Sequence, residues 1–390
     1  MKKNVWIMNH YASHMFFDDG GRHYFFSKYL KKAGYNPVVF CANMRGNKTD
    51  EKYFKTNDLF VERTNDQIDV PFVFVKVKLY LHNGFRRIIN MLSFYHNLIR
   101  VGKKYAKQHN RPDIILASSV HPLTLIAGQK LAKYFGIKCI CEMRDLWPEA
   151  IVSYSKRIKK NGIIASFLYS QEKRIYKNAD ALIFTQEGGR DYIIEKKWDT
   201  NNGGPIKLEK VFHINNGVDL ESFEYNKEHF KINDTDLNDK RKFKAVYCGS
   251  IRRINNLGII LDAAKLIKNK NIIFLIYGDG DELSSLKKRV LEEKIDNVVF
   301  KGRIGKKCVP YVDSMADLNI VHWEMSPLLR VGESYNKAFE YFAAGKPVFY
   351  TVRPNYSIVE KYNCGRITEG FKPSDLAVGI ERMSDFTIKQ

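Results

Sequence analysis

The sequence predicts an α/β protein made of two consecutive Rossmann-like domains, each built on a parallel sheet. Short apolar runs rich in β-branched and aromatic residues alternate along the chain with segments of helical periodicity, which is typical of βαβ units. A strongly polar segment, 221–242, separates two such series. The length of 390 residues also exceeds that of one typical domain.

The first series begins at the N-terminus, where a short apolar run follows two lysines. That run is too short for the core of a signal peptide and is typical of a first strand. The strands predicted for this series are Val5–Asn9, Pro37–Ala42, Asp113–Ser118, Ile137–Glu142, Ala181–Thr185 and Lys210–Ile214. The helices predicted between them include Gly21–Lys32, Pro122–Phe135 and Ile163–Lys177.

The second series follows the polar segment, which lacks periodicity and which we interpret as a linker or hinge. Its predicted strands are Phe243–Cys248, Asn271–Tyr277, Asn297–Lys301, Ala316–His322 and Lys346–Tyr350. Its predicted helices are Leu257–Ile267, Glu282–Glu293, Ser334–Ala344 and Ile358–Tyr362. We therefore expect an N-terminal domain at 1–220 and a C-terminal domain at 221–390, with their sheets facing across a cleft. Ligands of such sheets bind beyond the carboxyl ends of the strands, so functional residues should follow strands.

The charge of the chain is far from neutral. The formal net charge of +21 favours polyanions, which include nucleic acids, anionic lipid head groups and phosphorylated small molecules. A hydrophobic content of 44% excludes a disordered chain. Six cysteines lie in apolar runs without CxxC spacing, as buried thiols do in a reducing compartment. No run of 18 uncharged apolar residues occurs, so we expect a cytoplasmic protein that does not span a membrane.

Two motifs follow strands of the first series. Gly20 and Gly21 precede a predicted helix, where glycine lets backbone N–H groups approach a phosphate, although a simple loop turn is the alternative. The run EMRDLWPE follows the fourth strand and carries Arg144 and Asp145 before a Trp-Pro turn. That position favours ligand contact over a structural salt bridge. We treat Arg144, Asp145 and His121 as candidate ligand-contacting residues.

The first strand of the second series ends in the sequence CGSIRR. A turn of small residues followed by arginines suits a diphosphate, because guanidinium groups donate bidentate hydrogen bonds to phosphate oxygens. A solvated basic loop is the alternative. We assign Gly249, Ser250, Arg252 and Arg253 to the binding of a diphosphate-containing ligand.

The most informative stretch reads SYNKAFEYFAAGKP. Ser334 is predicted to cap a helix that stops at the Gly-Lys-Pro sequence. Asn336 and Glu340 lie four residues apart on one face of that helix, beside Lys337. A carboxylate can accept hydrogen bonds from both hydroxyls of a ribose, while a lysine and a helix N-terminus favour phosphate. We include Tyr335 in this donor site; a surface Lys–Glu pair is the alternative.

Three patterns resemble metal sites, and we reject each of them. Asp279 and Asp281 mimic a DxD metal-binding motif, but they lie in a strand-ending turn. Asp234-x-Asp236 resembles a calcium loop that lacks the required glycine and final glutamate. No His/Cys cluster has zinc spacing. We expect neither a metal nor a cofactor.

The segment 76–111 is both basic and aromatic. This composition favours binding to an anionic membrane surface. An ordinary surface helix with one buried face is the alternative.

These motifs resemble those of the family-4 glycosyltransferases of the GT-B fold over nearly the whole chain. Arg144-Asp-Leu-Trp-Pro148 and the Asn336–Pro347 stretch are the specific ones. The supporting motifs are Gly20-Gly21, Asn215-Asn-Gly-Val-Asp219, Gly249-Ser and Tyr277-Gly-Asp-Gly280. Within that family the chain resembles the bacterial subgroup that includes N-acetyl-L-fucosamine transferases of surface-polysaccharide assembly.

The resemblance implies a metal-independent transfer with retention of anomeric configuration. It also implies that the C-terminal domain holds the nucleotide and the N-terminal domain holds most of the acceptor. It places Glu340 on the ribose, Arg253 and Lys337 on the diphosphate, Gly21 in the loop facing the donor phosphate, and Asp145 near the transferred sugar. Asp145, Arg253 and Lys337 are thus the expected catalytic residues.

The sequence departs from the family pattern in three respects. The family's paired glutamates are eight residues apart, but Gly332 stands eight before Glu340 and Glu333 is one place off, which puts a sugar-binding role for Glu333 in doubt. Ser250 and Asn255 replace a common arginine and lysine, so phosphate binding depends on Arg252 or Arg253. The chain ends before the long terminal helices usual in the family. Two explanations are open: the protein is short, or a tail was removed.

We therefore predict a glycosyltransferase of surface-glycan synthesis, peripheral on the inner face of the plasma membrane. It moves a sugar, with an N-acetylated hexose as one candidate, from a UDP-linked donor to a membrane-lipid-linked or saccharide acceptor. A sugar-nucleotide epimerase and a soluble disaccharide-forming transferase are the alternatives within the fold. A basic nucleic-acid-binding protein is the alternative from another class. Because no known nucleic-acid-binding module occurs, we expect no nucleic-acid partner.

Overall fold

The computed structural model describes residues 2–44, 57–80, 84–119, 121–154 and 158–387. Residues 81–83 of the predicted membrane-binding segment and the chain end at 388–390 lie outside these ranges. The chain divides into two compact units, Met1–Asn215 and Asn216–Gln390, and each contains one β-sheet. The predicted α/β fold with two sheet domains is therefore confirmed. The assignment of the acceptor to one domain and the donor to the other stays a prediction.

The first unit is built on an eight-stranded sheet. Its strands are β1 (Asn4–Met8), β2 (Asn36–Ala42), β3 (Phe60–Asn65), β4 (Val70–Val75), β5 (Ile114–Ser119), β6 (Lys138–Met143), β7 (Ala181–Phe184) and β8 (Val211–His213). Its helices are α1 (Ser13–Phe17), α2 (Arg22–Lys32), α3 (Phe85–Gln108), α4 (Pro122–Phe135), α5 (Glu149–Tyr154), α6 (Ile163–Asn178) and α7 (Gly189–Glu195). The strand order is β3-β4-β2-β1-β5-β6-β7-β8, and only β3 runs antiparallel to its neighbour. The central strands are almost fully buried, which explains their continuous apolar sequences.

Helix α4 packs very closely on β5. A Cβ atom added to Gly128 of α4 would lie 2.6 Å from the Cβ of Ala117 on β5, so only glycine allows this approach. Pro122 opens the helix in the first turn, where a backbone N–H is not needed. His121 is the N-cap residue, and it is therefore held at the carboxyl end of β5.

The hairpin β3–β4 is a difference from the predicted fold, which had no strand between residues 42 and 113. Strand β4 pairs in parallel with β2 and antiparallel with β3. The Asn65 side chain closes the turn by accepting hydrogen bonds from the backbone N–H groups of Gln67 at 3.1 Å and Ile68 at 3.3 Å.

Helix α3 carries most of the basic segment for which the sequence favoured a membrane surface. One face of the helix is buried in the unit and includes Phe94, Leu98 and Val101. Phe85 and Ile88, near its N-terminus, are exposed. None of the helices in the described ranges is long and apolar enough to cross a bilayer. Membrane binding by this helix stays a prediction.

The second unit is built on a six-stranded sheet that is parallel throughout the described strands. These strands are β9 (Phe243–Cys248), β10 (Ile272–Tyr277), β11 (Val298–Gly302), β12 (Leu318–Val321), β13 (Val348–Tyr350) and β14 (Gly365–Ile367). The helices are α8 (Leu220–His229), α9 (Thr235–Asn238), α10 (Gly258–Leu266), α11 (Leu283–Glu292), α12 (Val309–Met315), α13 (Asn336–Ala343), α14 (Ile358–Lys361) and α15 (Pro373–Thr387). The strand order is β11-β10-β9-β12-β13-β14, which places β9 and β12 at the centre.

The interpretation of residues 221–242 as an irregular linker was wrong, because the segment contains most of α8 and all of α9. Asp219 caps α8 and Asp234 caps α9, each by accepting a hydrogen bond from a backbone N–H of the first turn. Each helix buries a single apolar side chain, Phe223 in α8 and Leu237 in α9. One apolar contact per helix leaves no periodicity in the sequence, which is why the pattern failed to predict them.

Candidate active site

Two loops at the carboxyl ends of β9 and β10 are joined by their backbones. The Gly249 N–H donates to the carbonyl of Tyr277 at 2.9 Å, and the Ile251 N–H donates to the carbonyl of Asp279 at 2.9 Å. A Cβ atom on Gly278 would lie 1.8 Å from the Gly249 carbonyl oxygen, so glycine is required for the contact. The Tyr277-Gly-Asp-Gly sequence is thus a strand-ending turn that fixes the loop after β9, as the sequence predicted.

Lys337 lies on α13 beside the turn after β9. Its ammonium group donates to the Tyr247 hydroxyl at 2.9 Å and lies 4.1 Å from the centre of that ring. A Cβ atom on Gly249 would approach the Lys337 Nζ to 2.8 Å, so the glycine leaves the space that the ammonium occupies. Removal from water lowers the pKa of Lys337 to about 8, although the surrounding acidic groups, which include Glu340, act in the opposite direction.

Glu340 lies one helical turn after Lys337. Its carboxylate is partly buried and accepts no hydrogen bond within the described ranges of the chain. Burial raises the pKa of this carboxyl group, while Lys306 and Lys337 oppose the rise. Tyr247, Gly249, Lys337 and Glu340 together are called the α13 cluster below. The cluster joins a cation, a glycine turn and a carboxylate that accepts no hydrogen bond from the described residues.

The residues that precede α13 differ from the prediction at one position. The N-cap residue is Tyr335, and Ser334 does not cap the helix. The Ser334 hydroxyl is already engaged, because its oxygen accepts a hydrogen bond from the Asn216 N–H at 3.0 Å. Glu333 is buried and accepts hydrogen bonds from the Tyr335 N–H at 3.1 Å and the Tyr350 hydroxyl at 2.9 Å. Glu333 therefore stabilises the loop before α13 by hydrogen bonds to Tyr335 and to Tyr350 of β13.

The two arginines after β9 are exposed, and so is Asn336 at the start of α13. Ser250 donates from its hydroxyl to the Asn255 side-chain oxygen at 3.0 Å, and the same oxygen accepts from the Arg252 N–H at 3.3 Å. These bonds tie the turn together and leave the guanidinium groups of Arg252 and Arg253 on its surface.

His322, at the carboxyl end of β12, was not singled out from the sequence. The protonated Nε2 of its ring donates to the Asn256 carbonyl at 3.0 Å. The unprotonated Nδ1 accepts from the Thr351 hydroxyl at 2.5 Å, and a ring that carries its proton on Nε2 alone is neutral. Burial lowers the pKa of His322 to about 4, which keeps this arrangement at neutral pH. A polar residue directly after an apolar strand was the signal that could have identified it.

Gly20 and Gly21 lie in the first unit, before α2. Gly21 has a φ of +107°, a conformation that favours glycine, and an added Cβ would lie 3.1 Å from the Met15 Cγ. Gly21 is the N-cap residue of α2. The turn therefore brings the N-terminus of a helix to the carboxyl side of β1.

A buried carboxylate at the end of β6 organises this part of the first unit. Glu142 accepts hydrogen bonds from the Arg22 Nε at 2.8 Å and the Ser118 hydroxyl at 2.7 Å. Its carboxylate also lies 2.9 Å from the Nε2 of the His23 ring. Burial alone would raise the pKa of Glu142, but His23 and Arg22 hold it well below its usual range. Arg22 also donates to the carbonyl of Ile214 at 2.8 Å. The sequence prediction quoted this glutamate in its motif but gave it no role.

Arg144 and His121 each carry a buried ring or guanidinium nitrogen that has no partner within the described residues. These atoms are the Arg144 Nε and the His121 Nδ1. The other nitrogen of the His121 ring, Nε2, lies 2.6 Å from the Nδ1 of His10, and the outer nitrogen of His10 is likewise unpartnered in the described structure. Burial lowers the pKa of His121 to about 3, so the histidine pair is neutral at pH 7. Asp145 follows Arg144 and is exposed.

Comparison with known proteins identifies the family. The profile described as Glycosyltransferase Family 4 matches residues 24–222, and the profile described as Glycosyl transferases group 1 matches residues 229–385. The chain belongs to glycosyltransferase family 4. The second match contains the whole α13 cluster of this family-4 protein.

Two curated relatives and one solved structure are similar to this family-4 chain. The Pseudomonas aeruginosa protein named "Probable glycosyltransferase WbjE" is 29% identical over 284 residues, which span 72% of this chain and 68% of that protein. The Bacillus subtilis (strain 168) protein named "Putative teichuronic acid biosynthesis glycosyltransferase TuaH" is 26% identical over 253 residues, which span 63% of this chain and 58% of that protein. The structure of Anabaena Alr3699/HepE in complex with UDP has a TM-score of 0.65 and 14% identity, over 100% of this chain and 91% of that one.

These similarities confirm the predicted GT-B fold and the predicted class of enzyme. This family-4 protein is a glycosyltransferase. The described residues contain no group of three or more His, Cys, Asp or Glu side chains arranged to hold a metal ion.

Proposed function

We propose that the chain is a retaining glycosyltransferase that moves a sugar from UDP to a lipid-linked or saccharide acceptor in surface-glycan synthesis. The α13 cluster is the observation that carries this proposal. The Lys337 ammonium and the glycine turn suit a diphosphate. The Glu340 carboxylate, which accepts no hydrogen bond from the described residues, suits the two hydroxyls of a ribose. The presence of UDP in the structure of Anabaena Alr3699/HepE supports the choice of uracil as the base.

Stabilisation of the departing diphosphate is the main contribution of the second unit to the reaction. The bond between C1 of the sugar and a phosphate oxygen breaks, and negative charge accumulates on the diphosphate. Lys337, Arg253 and the N-terminus of α13 stabilise that charge. The acceptor hydroxyl forms its bond to C1 on the same face, and its proton passes to the leaving phosphate oxygen. We assign no general base.

The first unit, within the predicted domain 1–220, supplies the acceptor side of the reaction. Gly20 and Gly21 present backbone N–H groups to the donor phosphate. Asp145, Arg144 and His121 contact the acceptor or the transferred sugar. The unpartnered nitrogens of Arg144 and His121 support this assignment, because buried polar atoms of this kind are expected to bind water or ligand.

The donor sugar and the cellular location complete the proposal. The donor carries an N-acetylated hexose, as in the N-acetyl-L-fucosamine transferase subgroup that the sequence resembles. The protein acts in the cytoplasm at the inner face of the plasma membrane, where the net charge of +21 attracts anionic lipids.

The experiment that tests the proposal measures ligand binding before any acceptor is known. The melting temperature is recorded with UDP, ADP, GDP and a panel of UDP-sugars, because a ligand that binds the folded state stabilises it by mass action. We expect UDP and at least one UDP-N-acetylhexose to raise it more than ADP or GDP does. No shift with any nucleotide would refute the donor assignment. Once an acceptor is found, an inverted anomeric centre in the product, detected by NMR, would refute retention.

A further inference from the structure

Two buried histidines of the first unit meet through a single hydrogen bond. The Nδ1 of His10, just after β1, lies 2.6 Å from the Nε2 of His121, the N-cap residue of α4. Burial holds the pKa of each ring well below the ordinary value of histidine, and the charge of Arg87 acts in the same direction. Both rings are therefore neutral at pH 7, and only one proton lies between them. The ring that donates this proton decides what His121 offers to a ligand.

We propose that His10 and Asn90 are positioning residues that hold His121 in one tautomer, with its proton on Nε2 and none on Nδ1. The His121 Nδ1 then accepts a hydrogen bond from a hydroxyl group of the bound sugar. The inference rests on the proposed function, which places His121 at the acceptor or the transferred sugar. It adds two residues that act through His121 and the direction of one hydrogen bond to the ligand.

The side chain of Asn90, on α3, determines where His10 carries its proton. The Asn90 amide nitrogen donates to the Lys78 carbonyl at 2.7 Å and to the Met44 sulfur at 3.5 Å, so both amide hydrogens are engaged. The atom left for His10 is the Asn90 Oδ1, which is buried and can only accept a hydrogen bond. The Asn90 side chain favours a proton on the His10 ring, in opposition to burial. His10 therefore carries its proton on Nε2.

The proton on His10 in turn determines the tautomer of His121. A neutral imidazole that is protonated on Nε2 has an unprotonated Nδ1, so the His10 Nδ1 is an acceptor. The donor across the 2.6 Å contact is then the His121 Nε2, and the His121 Nδ1 carries no proton. That nitrogen is buried and has no hydrogen-bond partner within the described ranges of the chain. Buried polar atoms are normally hydrogen-bonded, so an acceptor of this kind is expected to bind a ligand hydroxyl or water.

Aromatic neighbours hold the His10 ring and make its hydrogen bonds separable from its packing. The ring stacks on Tyr11 and on Phe94, with ring centres 4.4 Å and 4.3 Å apart. Phenylalanine at this position would keep both stacked contacts but would lose both ring nitrogens. Asparagine would instead place an amide oxygen near the position of the His10 Nδ1, where it can accept from His121.

NMR of the free protein, full-length and labelled at the histidine nitrogens, tests the tautomer directly. Proton–nitrogen correlation spectra distinguish protonated from unprotonated ring nitrogens, and comparison with His121→Gln identifies the signals of His121. We expect an unprotonated Nδ1 on His121 in the wild type and the appearance of the Nδ1-protonated form in His10→Phe. His10→Asn should restore the wild-type tautomer. The matched control is His96→Phe, at an exposed histidine of α3, which should leave the His121 signals unchanged.

Calorimetric titrations connect the tautomer to the ligand. We expect His10→Phe to raise the dissociation constant for UDP-N-acetylglucosamine about fivefold, as the loss of one ordinary hydrogen bond would, and to leave UDP affinity unchanged. The control variant should change neither affinity. If His10→Phe does not fold, His10→Leu gives the same comparison.

The outcomes separate this inference from the donor assignment. A protonated Nδ1 on His121 in the wild type, or a His121 tautomer that is unchanged in His10→Phe, would overturn the positioning role. Equal changes in the affinities for UDP and UDP-N-acetylglucosamine, or no change in either, would overturn the contact with the sugar. Failure of the wild-type protein to bind UDP would instead refute the donor assignment, while the spectrum of the free protein still decides the tautomer.

Discussion

Replacing Glu340 by glutamine should change stability and ligand binding in opposite directions. In the free protein the carboxylate is partly buried and has no hydrogen-bond donor within the described residues. Because burial raises its pKa, the ionised form destabilises the folded state, and its removal should increase the free energy of unfolding at pH 7. The same charge is what accepts the two ribose hydroxyls in the proposed complex.

The size of the binding loss follows from those two contacts. A hydrogen bond to a charged group contributes about 1.5–3 kcal/mol. The amide of Glu340→Gln keeps one neutral acceptor, so we expect a loss of about 2 kcal/mol, which corresponds to a dissociation constant for UDP that is about 30-fold higher. Glu340→Ala removes both contacts and should lose more.

Two measurements check this prediction on the same samples. Calorimetric titration gives the affinity for UDP, and urea unfolding without ligand gives stability. Glu228→Gln, which alters an exposed glutamate of α8, is the matched control and should change neither quantity. UDP affinity that is unchanged in Glu340→Gln would remove Glu340 from the donor site. A variant that is less stable than the wild type would show that the carboxylate has an internal structural partner.

Three further predictions concern the other charged groups and the turn. UDP affinity should fall as the pH rises through about 8, because the Lys337 ammonium loses its proton there. The Lys337→Gln variant should bind UDP weakly and show no such pH dependence. Calorimetric titrations with UDP from pH 6.5 to 9.5 test both expectations. Gly249→Ala should weaken UDP binding about tenfold, since its Cβ would lie 2.8 Å from the Lys337 Nζ and 3.2 Å from the Tyr247 hydroxyl and would displace the ammonium group. We expect a stability loss of about 1 kcal/mol, and equal UDP affinity in the variant would contradict the reasoning. Glu142→Gln should lower the free energy of unfolding by about 3 kcal/mol at pH 7, because it leaves Arg22 with an uncompensated buried charge. The pKa of Glu142 is depressed in the fold, so its contribution is complete above the pKa of the unfolded state and is lost as the pH falls; urea unfolding at pH 7 and pH 4 should show a smaller difference between variant and wild type at pH 4.

The sequence predicted the buried parallel strands for a physical reason. Buried parallel strands such as β9 and β10 read as continuous apolar runs, and the positions directly after them were searched for function. Gly249 and Lys337, far apart in the chain, are brought together by that geometry. The β3–β4 hairpin was missed because an edge strand is half exposed and its turn depends on the side chain of Asn65.

Side-chain contacts between distant segments were the features that the sequence could not supply. Ser334 is a good helix cap by residue type, but its hydroxyl oxygen binds the backbone of Asn216 instead. The bonds of Glu142 to Arg22 and Ser118 span more than a hundred and more than twenty residues, so no local pattern reveals them. His322 carries no motif, and only the three-dimensional position of Thr351 and Asn256 explains it.

The glycine turn after β10 also decides where donor preference could be redesigned. Because Gly278 and Gly280 lie against the carbonyl groups of Gly249 and Ile251, substitution at either glycine would collide with main-chain atoms that cannot move aside. A mutant library aimed at those positions would therefore yield mostly inactive protein. Saturation mutagenesis at the exposed Arg252 and Asn336 leaves the two joined glycine turns intact. Selection for variants that bind a different nucleotide should therefore begin at those two positions.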